Sequence, residues 1–295
     1  MRMERSSVVP FLGAGANRCG RPPEAEWSRD TYLPDGGELS AYLAKTYRYP
    51  GPDPRDLGRV SQYATLELDE QMLYSDLRQI FTGDYQPTDL HSFVAELPRE
   101  MHDRGWPPPY KLIVTTNYDD ALERAFQHAE QEFDLVYYAA PTAQKPGELM
   151  QVVDGRHVRV AQQKGKHKLL VEGRPVILKI HGAVDRKVEA RDSYVITEDD
   201  YIDYLARSNI EKLIPASLMA TMRTGNFLFL GYGLRDWNLR VILKHIWVEQ
   251  LRRTKSWAVQ RDVDDLDRKF WRREDVEIVT ADLLTWVEAM RRNLP

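Results

Sequence analysis

The chain has 295 residues, a formal net charge of −4, and 42% hydrophobic and 29% charged residues. That apolar content is enough for a real core and excludes wholesale disorder. The charge balance is no electrostatic footprint for a dedicated nucleic-acid binder. The single cysteine, Cys19, excludes an internal disulfide and a Cys-rich zinc site. The start is charged and polar, and the first apolar run, from Val8 to Leu12, is broken by Pro10. That run is too short for a signal h-region or a membrane span, so a soluble, cytoplasmic protein is expected.

The segment from Ser7 to Leu12 reads as a short buried strand running into Gly13-Ala14-Gly15. A Pro/Gly-rich loop from Gly20 to Gly37 follows, and loops of that length are usually functional or disordered. The spacing predicts helix from Glu38, a second helical stretch from Arg59 to Phe81, and a third from Asp89 toward Leu97. Strands are predicted at 111–115 and 134–139, with a helix from Asp120 to His128 between them. The stretch 150–177 alternates β-branched and polar residues as a β-hairpin or small meander would. A core strand follows from Val176 to Ile180, then a helix from Thr197 with a Thr197-x-x-Asp200 capping box, and another from Ile210 to Met222. The final third alternates strands at 226–230, 256–260 and 276–280 with helices at 237–251, 263–273 and 283–293. Such alternation indicates a doubly wound α/β fold with a mostly parallel sheet, whose ligands sit beyond the carboxyl ends of the strands.

Chemistry is therefore sought at strand ends. After the first strand, Gly13 and Gly15 either bring backbone amides close to a phosphate or make a tight turn. A dinucleotide fingerprint would need a third Gly or Ala where Arg18 stands. After 111–115 comes Thr116-Asn117-Tyr118-Asp119-Asp120. Asn117 offers donors and an acceptor without charge, and Asp119 or Asp120 suits a helix cap. After 176–180 comes His181-Gly182, where the histidine is either a satisfied structural residue or placed for general-base work, and the glycine suggests a close approach to the backbone. After 226–230, Gly231 and Gly233 form a second glycine turn, with Asp236 as N-cap of the next helix.

Taken in this order, FLGAGAN, TTNYDDALERA, ILKIHG and FLGYGLRDWNLR resemble the sirtuin-like NAD-consuming family, over about residues 8–250. More narrowly, they are similar to the sirtuin-like domains of bacterial antiphage defence systems. The resemblance implies a single Rossmann-like domain over 1–295, with a helical insertion at about 38–110 and a β-hairpin insertion at about 140–175. It implies that Gly13, Ala14 and Gly15 bind the NAD pyrophosphate, that Asn117 and His181 are catalytic, and that Gly231 and Gly233 lie by the adenosine half. Asn17, which stands where the family often has Ser, joins Asp119 and Asp236 in the cofactor-binding set. The four zinc-binding cysteines of protein-deacylating sirtuins are absent, and Thr116 replaces the Gln that usually precedes the catalytic Asn.

The implied reaction is hydrolysis of NAD to nicotinamide and ADP-ribose by an effector that depletes the cofactor. NAD is then a substrate, and no metal is required. The alternatives are a protein deacylase or ADP-ribosyltransferase, or a non-catalytic module sensing NAD or ADP-ribose. An unchecked NAD hydrolase would empty its cell, and no second domain of sensing length is evident. Control is thus expected from a two-fold homo-oligomer, and from a partner such as a HerA-type ATPase or another sensor protein. The apolar helix from Trp237 to Leu251 is either buried between the sheet and neighbouring helices or, with the helices at 59–81, a candidate contact surface. The Gly20–Gly37 loop is expected to close over the nicotinamide end.

Overall fold

The computed structural model describes residues 8–140, 147–160, 169, 174–207, 214–233, 237–247 and 255–294. Asp236, the start of the helix expected from Ile210, the end of the helix expected at Leu251 and part of the stretch 150–177 lie outside these residues.

Among the described residues, nine strands form one sheet in the order β11-β10-β9-β1-β2-β6-β3-β4-β5. They are β1 (Val8–Leu12), β2 (Leu112–Thr115), β3 (Asp134–Ala139), β4 (Glu148–Val153), β5 (Arg156–Arg159), β6 (Val176–Lys179), β9 (Asn226–Leu230), β10 (Ser256–Gln260) and β11 (Val276–Thr280). The chain moves from β1 to β2 and β6 on one side, then crosses back to β9, β10 and β11 on the other. This is the Rossmann-like arrangement, and its order reverses between β1 and β9. All pairs are parallel except β3–β4 and β4–β5, which make an antiparallel hairpin at the edge. A separate two-stranded ladder, β7 (Gly182–Ala183) with β8 (Ser193–Tyr194), has no counterpart in the sequence pattern. Its strands are too short to show a period.

The central strands are mostly apolar because both sheet faces are covered. Phe11, Val114, Leu178 and Phe229 face one core, while Leu12, Ile113, Ile177 and Leu230 face the other. The first core is closed by α6 (Glu198–Arg207), α7 (Ala216–Thr224), α8 (Trp237–Trp247) and α9 (Asp265–Arg273). The second is closed by α4 (Asp89–Asp103), α5 (Ala121–His128) and α10 (Leu283–Arg292). On α8, Ile242, Leu243 and Ile246 are buried in the first core. The expected capping box of α6 is present, with Thr197 Oγ1 accepting from Asp200 N (3.0 Å) and Asp200 Oδ2 accepting from Thr197 N (2.9 Å).

Two expectations along the helices are corrected. The stretch 59–81 is two helices, α2 (Leu57–Glu67) and α3 (Glu70–Phe81). The break falls at Leu68, and Asp69 restarts the chain by accepting from Gln71 N. No Gly or Pro marks that break, so periodicity alone ran through it. Conversely, α4 does not stop at Leu97 but passes through Pro98. A proline cannot donate to the carbonyl four residues back. Here that carbonyl, of Val94, accepts instead from the hydroxyl of buried Tyr110. The sequence pattern could not anticipate a donor supplied from beyond the helix.

Helices α1 (Gly36–Thr46), α2 and α3 build a third core of their own. Leu43, Val60, Leu73, Leu77 and Ile80 pack there with Tyr118 and Tyr194, which follow β2 and form β8. This helical layer therefore lies over the carboxyl ends of the central strands.

Candidate active site

The two glycine turns lock together at the switch point. Gly13 N donates to Leu230 O (3.0 Å) and Gly15 N to Gly231 O (2.8 Å). A Cβ on Gly13 would lie 2.7 Å from Gly231 O, and one on Gly15 2.6 Å from the same atom. Their lack of side chains is thus required first by the neighbouring turn of the same chain. Gly231 has φ +65°, and its Cβ would fall 2.1 Å from Ala16 N. Gly231→Ala combines that clash with left-handed strain. It is expected to cost more than about 2 kcal/mol in denaturant unfolding, and a variant as stable as the parent would contradict the interlock. Gly182 has φ +104° and would clash with Ser193 O at 2.1 Å. The close approach expected there is made by β8.

A cavity of about 610 Å³ opens beside these turns. Its wall includes Ala14, Gly15, Asn17, Asn117, Asp119, His181, Gly231 and Gly233, so residues from four strand ends share one space. Gly13 stands behind the wall, where its carbonyl accepts from Asn117 Nδ2 (3.3 Å). The roof comes from the helical layer, with Leu39, Ala41, Arg55, Leu57 and Phe81. A second cavity of about 470 Å³ is lined by Cys19 and Gly20 and by Gln260 and Asp282 at the ends of β10 and β11. Gly15, Arg18, Asp35, Gly231, Tyr232 and Gly233 line both cavities, so the two adjoin across the glycine turns. Burial pushes the Cys19 thiol up to about 12, which makes it inert rather than nucleophilic.

Asn117 is buried (7% exposed) and its Oδ1 has no hydrogen-bond partner among the described residues. An unpaired buried acceptor is costly, and here it belongs to a cavity-lining residue. Asn17 repeats the pattern. Its Nδ2 donates to Pro34 O (3.1 Å) and Asp119 Oδ2 (3.2 Å), while its Oδ1 has no partner among the described residues. Asp119 Oδ1 accepts from Ala121 N at the start of α5, whereas Asp120 pairs with Arg186. Capping therefore falls to Asp119, which also faces the cavity. His181 is 3% exposed, with its ring edge-on to Tyr201 and Tyr204 at 5.3 and 5.9 Å between centroids. These contacts orient the imidazole, and Tyr201 also lines the cavity.

The loop between the first glycine turn and α1 begins with a short 3-10 turn, Ala14–Arg18. Its two ends border the two cavities: Gly20 to Pro23 lie at the second, and Pro34 to Gly37 at the first. Arg21 ties it down by donating to Glu38 Oε1 (2.6 Å) and Leu33 O (2.7 Å). Arg21, Tyr201 and the roof residues carried no sequence signal for a site, because their local pattern is that of ordinary loops and amphipathic helices. No group of three His, Cys, Asp or Glu with metal-binding geometry occurs among the described residues. None of their helices is long and apolar enough to cross a membrane.

Fold and site together define a doubly wound α/β domain with a cleft at its switch point. A family model described as the SIR2-like domain matches residues 111–279, more than half of the chain. The chain belongs to that family, and Asn117, His181, Gly231 and Gly233 fall inside the match. Among curated relatives, it is 23% identical over 188 residues to defense-associated sirtuin 2 of Bacillus subtilis, covering 64% of this chain and 14% of that protein. It is 26% identical over 188 residues to the NAD(+) hydrolase ThsA of Enterococcus faecium, covering 62% of this chain and 30% of that protein. The matched region thus spans less than a third of either relative.

Proposed function

We propose that this chain hydrolyses NAD to nicotinamide and ADP-ribose, as the effector of an antiphage defence system. The observation that carries the reading is the placement of Asn117 and His181, from separate strand ends, on one cavity beside the interlocked glycine turns. The names of the two relatives, a defence sirtuin and an NAD(+) hydrolase, support the same reading.

In this reading the nicotinamide ribose occupies the first cavity, the pyrophosphate crosses the turn at Gly13, Ala14 and Gly15, and the adenosine extends past Gly231 and Gly233 into the second. The glycosidic bond breaks with its electron pair passing to the pyridinium nitrogen. Nicotinamide leaves neutral and needs no general acid. Water then bonds to C1′ of an oxocarbenium-like centre. The Oδ1 of Asn117 accepts a hydrogen bond from a ribose hydroxyl or that water, and His181 takes up the water's proton. Asn17 and Asp119 supply further acceptors along the same wall. The helical roof limits bulk solvent and leaves room for one acceptor. None of these steps uses a metal ion.

Chromatography of products after incubation with NAD, with and without an acetylated peptide, tests this directly. Nicotinamide and ADP-ribose formed in equal amounts without peptide are expected. Release that depends on the peptide would make the chain a deacylase or transferase, and binding without turnover would make it a sensing module.

Control is proposed to lie in self-assembly, with a HerA-type ATPase or another sensor protein as an added layer. The described core-facing residues of α8 are occupied within the subunit, which turns attention to the junction of α2 and α3. There Leu66, Leu68 and Met72 are 74%, 51% and 54% exposed. Light scattering at micromolar concentration is expected to give a two-fold homo-oligomer, with a contact on the order of 1,000 Å² or more. A strict monomer that hydrolyses NAD at full rate would remove this part of the proposal.

A further inference from the structure

Two residues before His181, the apolar strand β6 ends in a lysine. Lys179 is only 1% exposed. An ammonium group has three donors and no acceptor, and here three acceptors meet it. They are Tyr118 O (3.2 Å), Asp119 O (2.5 Å) and Glu123 Oε1 (2.7 Å). Two of them are backbone carbonyls of the loop that follows Asn117, and the third is the first carboxylate of α5 beyond it. Tyr118 O also accepts from Val184 N (3.0 Å), just past His181. The segment carrying Asn117 and Asp119 is thereby tied to the segment carrying His181 by a buried cation as well as by backbone bonds.

The cost of this arrangement is visible. Glu123 is buried, and its second oxygen has no partner among the described residues. Burial pushes its carboxyl above the usual carboxylate range, against the opposing pull of Lys179. Buried ion pairs contribute little net stability compared with apolar pairs of similar volume, so their retention calls for another reason. The backbone contacts supply one, because an apolar side chain at Lys179 could fill the space but could not hold two carbonyls.

We propose that Lys179 is a positioning residue that sets the distance between Asn117 and His181 by clamping the 117–120 loop against the end of β6, with Glu123 as its counter-charge. The proposal rests on the reading of Asn117 and His181 as catalytic. It separates the clamp from generic core stability, because the two respond differently to an apolar replacement of the whole pair.

The test compares the full-length wild type with Lys179→Met and with the double variant Lys179→Met/Glu123→Leu. The single variant strands a buried carboxylate and is expected to lower Tm by about 10 °C. The double variant removes both charges and is expected to return Tm to within a few degrees of wild type. Its kcat for NAD should nevertheless stay about 100-fold down, the scale of a misplaced catalytic group. Amide exchange followed by mass spectrometry should be at least about tenfold faster at residues 117–120 than in wild type, with the central strands unchanged. A double variant with recovered Tm, wild-type kcat and wild-type exchange at 117–120 would overturn the clamp. Wild-type protein is the control that needs no variant: exchange at 117–120 as fast as in exposed turns would overturn it equally. A wild type that never cleaves NAD would sink the proposed function, while the exchange comparison would still decide the clamp.

Discussion

Replacing Asn117 with Ala is expected to lower NAD cleavage by about 100- to 1,000-fold, the loss typical of one preorganised polar group facing the reacting atoms. The substitution removes the Oδ1 that has no partner among the described residues and also the bond from Nδ2 to Gly13 O. The second loss costs stability on the order of 1 kcal/mol, a few degrees in Tm. Fold and NAD binding should therefore survive while turnover does not. Initial rates of nicotinamide release, paired with calorimetric NAD binding, separate the two. Near wild-type turnover, under conditions that activate the parent, would show that Asn117 is not catalytic.

His181→Ala is expected to cost about 100- to 10,000-fold, the range for a lost general base. It should also change the pH dependence of the rate, because the group that takes up the proton is lost. Alanine leaves a void against Tyr201 and Tyr204, so a second variant isolates the chemistry. His181→Phe keeps a ring edge-on to both tyrosines and should hold Tm near the parent, yet stay as inactive as the alanine variant. A His181→Phe protein that keeps both rate and pH profile would assign His181 to packing alone.

Much of the fold was legible because the signals are local and repeated. Apolar strands such as VVPFL, LIVT and NFLFL, bounded by turn residues, mark a buried parallel sheet whatever the distant contacts are. The candidate site was legible where a polar residue lies within two positions of the end of such a strand, as Asn117 and His181 do. It was illegible where a residue works through a partner remote in sequence. Lys179 reads as an interruption in an apolar strand, and that interruption was its one available signal. Its meaning depends on Tyr118, Asp119 and Glu123, which lie 56 to 61 residues away. The glycines show the same limit. Gly13 and Gly15 fit either a phosphate approach or a tight turn, and Gly182 a close approach to the backbone, but the atoms that crowd them, from Gly231, Tyr232 and Ser193, belong to other segments of the chain.

By itself, the sequence determined the doubly wound class, the strand ends where chemistry collects, and the lack of thiols for a zinc module. These follow from periodicity, turn residues and composition, properties that a stretch of chain carries wherever it is placed. Only the tertiary structure decided that Asn17, Asn117, Asp119 and His181 share one cavity, that α1 to α3 roof it, and that Tyr110 satisfies the carbonyl Pro98 leaves open. Each of these depends on long-range packing, where buried polar groups must find partners that no local pattern encodes.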